Sequence, residues 1–269
     1  IPPIDQPRFR PQAEIGSLGE HEPVVSVNIN GDARAYPINV LIWHEIVNDT
    51  VGGVPVAVTY CPLCNTSIVF DRRLDGQILD FGTTGKLRRS DLVMYDRQTE
   101  SWWQQFLGEG IVGQMTGRRL KMLPARLGSI ALFRARHPEG LVLVPANDRA
   151  RAYGRNPYKN YDSSARPFLY DGEMPDGVPP LSRVVRVGAR AWSLALVRRK
   201  GGIITADGLK ISWQVGQNSA LGAAEIRRGV DVGNVVVQRM VGNRRQDVPY
   251  SIDFAFAFHA FQPDSVIHV

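Results

Sequence analysis

Along most of the chain, apolar positions fall in short runs separated by Gly, Asn-Gly and Asp-Gly pairs. Alternating or β-branched runs of this length predict strands, since side chains two apart share a face. Residues 24–29 form such a strand, Asn30-Gly31-Asp32 turns the chain, and Ala33-Arg34-Ala35-Tyr36 completes a hairpin. The period then lengthens. Ile38, Leu41, Ile42 and Ile46 share one helical face, Pro37 suits a first turn, and Asn48-Asp49 close a helix predicted over 37–47. From residue 51 the pattern predicts strands at 54–60, 65–71, 77–81, 91–96 and 101–106, with Gly52-Gly53 and Asp75-Gly76 as turns. A second helix is expected over 127–136 and a strand over 141–144, while 1–23 and 150–180 read as a Pro-rich arm and a long irregular loop.

A weak internal echo accompanies this pattern. Val184-Val185-Arg186-Val187 and Ala189-Arg190-Ala191-Trp192 repeat the texture of Val24-Val25-Ser26-Val27 and Ala33-Arg34-Ala35-Tyr36. Between hairpin and Asp-Gly turn the first copy is longer, and its extra stretch holds His44 and both cysteines. The expected fold is therefore β-rich α+β: two similar β-dominated halves with a few short helices, packed as one unit. Residues 1–165 would carry the site, and 166–269 would be a divergent repeat lacking it.

Composition narrows the class. The 269 residues are 43% hydrophobic and 22% charged, too apolar for a disordered chain. No run approaches the roughly 18 apolar residues of a membrane-spanning helix. The net charge of +6 raises nucleic-acid binding, but the arginines come as scattered pairs, such as Arg88-Arg89 and Arg244-Arg245, and no nucleic-acid motif is present. Solvated surface is the simpler reading of those pairs. The sequence opens at Ile1 rather than Met, compatible with removal of a secretory signal and a periplasmic or extracellular location.

The chemistry concentrates at Cys61 and Cys64, the only cysteines. The β-branched run after Cys64 is not the helix that a thioredoxin-type motif needs. A strand ending in Tyr-Cys-Pro-x-Cys and turning into another strand suits a metal knuckle instead. One knuckle supplies two ligands, so others must be recruited. His44 and Met94 are the candidates, giving a Cys61, Cys64, His44, Met94 set suited to copper(I) first and zinc second. Two alternatives stay open: a thiol-dependent enzyme with a redox or nucleophilic cysteine, and a non-catalytic binding or assembly module stapled by a disulfide. Ser90, Asp91, Asp96 and Gln104 are candidates to line a pocket over the cysteines, toward a small molecule or protein partner. No G-x-S-x-G, Walker or G-x-G-x-x-G motif occurs.

Several stretches together resemble a bacterial and archaeal family of domains of unknown function. They are Trp43-His44-Glu45-Ile46-Val47-Asn48-Asp49, Thr59-Tyr60-Cys61-Pro62-Leu63-Cys64, Ser90-Asp91-Leu92-Val93-Met94-Tyr95-Asp96-Arg97, Thr99-Glu100-Ser101-Trp102-Trp103-Gln104 and Tyr153-Gly154-Arg155-Asn156-Pro157-Tyr158. The resemblance is dense over 1–165 and looser beyond. It implies an extracytoplasmic protein and marks His44, Cys61, Cys64, Ser90, Asp91, Met94, Asp96, Trp103 and Gln104 as motif positions, with no activity attached.

Overall fold

The computed structural model describes residues 1–269. Strand accounts for 43% of the chain and helix for 13%, so the β-rich expectation holds. The two-halves arrangement does not. Five sheets form the blades of a five-bladed β-propeller. Blade I joins Arg8–Pro11, Leu141–Val144, Asp32–Pro37, Pro23–Ile29 and Arg126–Ser129. Blade II joins Met122–Leu123, Thr66–Asp71, Val54–Cys61 and Ile46–Val51, and blade III joins Glu109–Val112, Trp102–Gln104, Asp91–Asp96 and Phe81–Arg88. Blade IV is built from Ser251–Phe254, Arg183–Val187, Arg190–Ser193 and Ile267–His268; blade V from Ile203–Ala206, Leu209–Gln214, Asn234–Val241 and Arg244–Asp247.

The sequence echo has a topological counterpart, confined to blades I and IV. In each, a hairpin runs into a short helix: Ile38–His44 (α1) in blade I. A later strand returns antiparallel to the first hairpin strand, at 126–129 against 23–29 and at 251–254 against 183–187. The chain then enters a second helix, Ile130–Arg136 (α2) in blade I, and a last strand parallel to the second hairpin strand. Blade IV repeats this with Leu194–Arg199 (α3) and Ala255–Phe261 (α4). What differs is the excursion between hairpin and return: blades II and III from blade I, blade V alone from blade IV. A core of 55 buried residues runs through all five sheets, so the blades pack as one unit, as expected of the halves. Residue 165 lies in the irregular stretch between the last strand of blade I and the first of blade IV.

Both expected helices are shorter than the periodicity suggests. The first ends at His44 because Glu45 adopts φ 60°, ψ −31°, a conformation no helix continues from, and Ile46 starts a strand. In the second, residues 126–129 complete blade I as strand, and the Ser129 hydroxyl caps α2 by accepting from the Leu132 N–H.

Candidate metal centre

The apolar run 54–61 and the run 66–71 pair antiparallel, with Cys61 opposite Thr66, so the Cys-Pro-Leu-Cys segment is the loop of a tight hairpin. Asn65, at φ 53°, closes it by donating its N–H to the Pro62 carbonyl; Asn is among the few side chains tolerated there. The knuckle is clamped from outside. The Tyr161 hydroxyl donates to the Leu63 carbonyl at 2.9 Å, and the Thr66 hydroxyl donates to Asp253 at 2.7 Å. Both cysteines are free thiols and buried.

Blade III supplies the facing wall. Its first hairpin turns on two residues, Arg89 (φ 53°) and Ser90 (φ 66°). This is the left-handed geometry that Asn-Gly usually takes, held here by two residues with β-carbons. The turn presents the Ser90 carbonyl to both sulfurs, 3.9 Å from Cys61 Sγ and 3.6 Å from Cys64 Sγ, and starts the next strand at Asp91. Ligand atoms of Cys61, Cys64 and Asp91 all lie within 4.8 Å of one another. One Asp91 oxygen, Oδ2, accepts from the Gln104 amide and from the Phe106 N–H. The other, Oδ1, is fully buried and has no N–H or O–H donor.

Burial sets the electrostatics. Desolvation pushes both thiols up, and pushes the Asp91 carboxyl up to about 7 despite opposing hydrogen bonds from Phe106, Gln104 and the Cys61 and Cys64 thiols. Glu45, also buried, is likewise pushed up to about 7 by desolvation, and the nearby Asp91 charge acts in the same direction. Desolvation, then Glu45 and Cys61, raise the Tyr158 hydroxyl to about 12. Glu45 and Tyr158 thus belong to the surroundings of the cysteines.

Of the residues expected at the site, the structure gathers Cys61, Cys64, Ser90, Asp91 and Gln104. It does not gather His44, Met94 or Asp96. Both His44 ring nitrogens are engaged elsewhere, Nδ1 with the Pro2 carbonyl at 2.9 Å and Nε2 with the Tyr153 hydroxyl at 2.8 Å. Met94 is buried on the strand that begins at Asp91, but three positions along, so it faces the other side of the sheet. Asp96 also falls on that side, and its carboxylate is used by Thr99 and the Trp103 indole N–H. The side chain whose ligand atom lies with the two sulfurs is thus Asp91. Glu45 was missed as a site residue, although it stands in the Trp43–Asp49 stretch that carries the family resemblance and is a lone acid at the end of the helix.

The sequence model of a family described as a protein of unknown function, DUF3179, matches residues 1–265. The chain belongs to that family. The DUF3179 match spans the knuckle, the Arg89-Ser90 turn and the clamping residues of blade IV, and so reaches well past residue 165. No curated protein and no solved structure matches the chain.

Proposed function

We propose that this DUF3179 protein binds a transition metal through Cys61, Cys64 and Asp91, with a fourth position left for an outside ligand. Asp91 Oδ1 carries the reading. A fully buried carboxylate oxygen with only two weakly donating thiols beside it is poorly satisfied, while its twin oxygen is doubly held. A cation bound by all three groups satisfies that oxygen. Zinc bonds of about 2.3 Å to sulfur and about 2.0–2.2 Å to oxygen set tetrahedral donors roughly 3.4–3.8 Å apart, so the three groups would close by up to about 1 Å. The hard carboxylate favours zinc over the copper(I) that a thioether would have suited. Three protein ligands plus one exchangeable site is the composition of a zinc centre that activates water or polarises a bound carbonyl. A nucleophilic or exchanging cysteine needs a lowered thiol pKa and access, whereas burial raises both thiols here.

Elemental analysis with a free-thiol count, on protein purified without chelator and then exposed to zinc, tests this. The expected result is about one zinc per chain, protecting both thiols and lost in Cys61→Ser and in Asp91→Asn, but kept in His44→Ala and Met94→Leu. A wild-type chain that takes up no metal, or an Asp91→Asn chain that binds it as tightly as wild type, overturns the proposal.

A further inference from the structure

The last hairpin of blade V does not end with its sheet. Asn234–Val241 pairs along Leu209–Gln214 only as far as Arg239 opposite Leu209. Beyond that pair the ribbon continues with two strands and no third, Met240 opposite Arg245 and Val241 opposite Arg244, and closes at Gly242-Asn243 with Gly242 at φ +59°. All eight residues from 239 to 246 are exposed. Met240 and Val241 are each 55% exposed. Successive strand residues point to opposite faces, so equal exposure of these neighbours means that both faces of the ribbon stand in solvent. The tip projects.

Its sequence, Arg239-Met240-Val241-Gly242-Asn243-Arg244-Arg245-Gln246, contains three cations and no acid. None of the three arginines takes part in an ion pair. The first acid along the strand, Asp247, is held by Arg126, Arg136 and Gln238. In the neighbouring turn, Asp207 is paired with Arg190. Solubility would account for the arginines, but not for two adjacent large apolar side chains exposed next to the turn.

We propose that this tip docks the protein on an anionic lipid bilayer, Met240 and Val241 entering the interface and Arg239, Arg244 and Arg245 resting among acidic headgroups. The combination supplies the two signals, apolar burial and positive charge, that together hold a peripheral protein on a membrane. A convex ribbon with apolar groups on both faces suits a soft interface better than a flat protein surface. A nucleic-acid site would use the arginines and leave the aliphatic pair idle.

Co-sedimentation of the full chain with vesicles, either phosphatidylcholine alone or an equal mixture with phosphatidylglycerol, tests the proposal. Binding is expected to the mixed vesicles only, weakening as salt is raised. Each arginine contributes roughly fivefold, so Arg239→Gln, Arg244→Gln and Arg245→Gln together should weaken binding about a hundredfold. Met240→Ser with Val241→Ser should weaken it about tenfold or more. The tip lies outside the core, so these variants should unfold thermally as wild type does, separating lost docking from lost fold. In a Met240→Trp variant, emission should shift to the blue on mixed vesicles and stay put with a soluble polyanion such as heparin. The proposal is overturned by absence of binding to mixed vesicles, by full binding in the serine double variant, or by an indole that stays in water on the vesicle.

Discussion

Asp91 illustrates a residue that lowers the stability of the metal-free fold at neutral pH. In the metal-free protein its carboxyl is 0% exposed and raised from 3.8 to about 7. The native state therefore holds a proton that the unfolded chain releases between those values. Stability from this group is present below pH 3.8 and is lost as pH rises through 7, a difference of up to about 4 kcal/mol. Glu45, raised in the same way, adds a loss of the same sign. An Asp91→Asn substitution keeps an oxygen for Gln104 and Phe106 and points an N–H₂ at the sulfurs in place of the orphaned oxygen. The metal-free variant is expected to be more stable than wild type at pH 8 by a few kcal/mol, the gap closing towards pH 4, while zinc uptake is lost. Urea unfolding of both chains across that range checks it. A gap that does not change with pH would mean that Asp91 is ionised at little cost.

Elements differ in how far the sequence announces them, and the site shows why. The knuckle strands and the strand from Asp91 to Asp96 follow from local alternation of apolar side chains, and the structure places them within a residue of expectation. Parity along that last strand was also legible: Asp91 and Met94, three apart, fall on opposite faces, so the two candidates could not both face the cysteines. Ligand softness favours Met94, whereas the face shared with the knuckle belongs to Asp91. The left-handed turns at Glu45 and at Arg89-Ser90 were not legible, because nothing in those side chains favours a positive φ; packing against other blades imposes it. Ser90 also fastens the irregular stretch after blade I, its hydroxyl donating to the Phe168 carbonyl at 2.6 Å, while the Phe168 N–H donates to the Tyr161 hydroxyl. Removing either fastening should release the segment beside the cysteines at a cost of about 1 kcal/mol each. Tyr161→Phe and Ser90→Ala are accordingly expected to raise the alkylation rate of the metal-free thiols roughly five- to tenfold, with little change in far-UV circular dichroism. Unchanged rates would show that reagents reach the sulfurs by another route.

At the scale of the whole molecule, the site belongs to three blades and a short buried network couples them. Arg186 of blade IV is buried against Asp253, Nε to Oδ2 at 2.7 Å, and stacks its guanidinium 4.2 Å from the Phe106 ring centroid. Its Nη2 donates to the Phe106 carbonyl, and the Phe106 N–H in turn holds Asp91. From the other Asp253 oxygen the network continues to the Thr66 hydroxyl beside Cys64, and the Phe254 N–H donates to the Cys64 carbonyl itself. Blade IV, which contributes no ligand, thus fixes both the knuckle of blade II and the carboxylate of blade III. Arg186→Met leaves Asp253 buried without its cation and should destabilise the fold by about 3–5 kcal/mol, with most of the loss recovered when Asp253→Asn is added, since the uncompensated charge is then gone and the amide still serves Thr66. Zinc affinity should fall in Arg186→Met and stay below wild type in the double variant, because Phe106 has lost the guanidinium that positions it. Urea unfolding followed by tryptophan emission and by zinc release should give one coincident transition in the wild type. Two separated transitions, or a single variant as stable as wild type, would mean that the blades fold and hold their ligands independently.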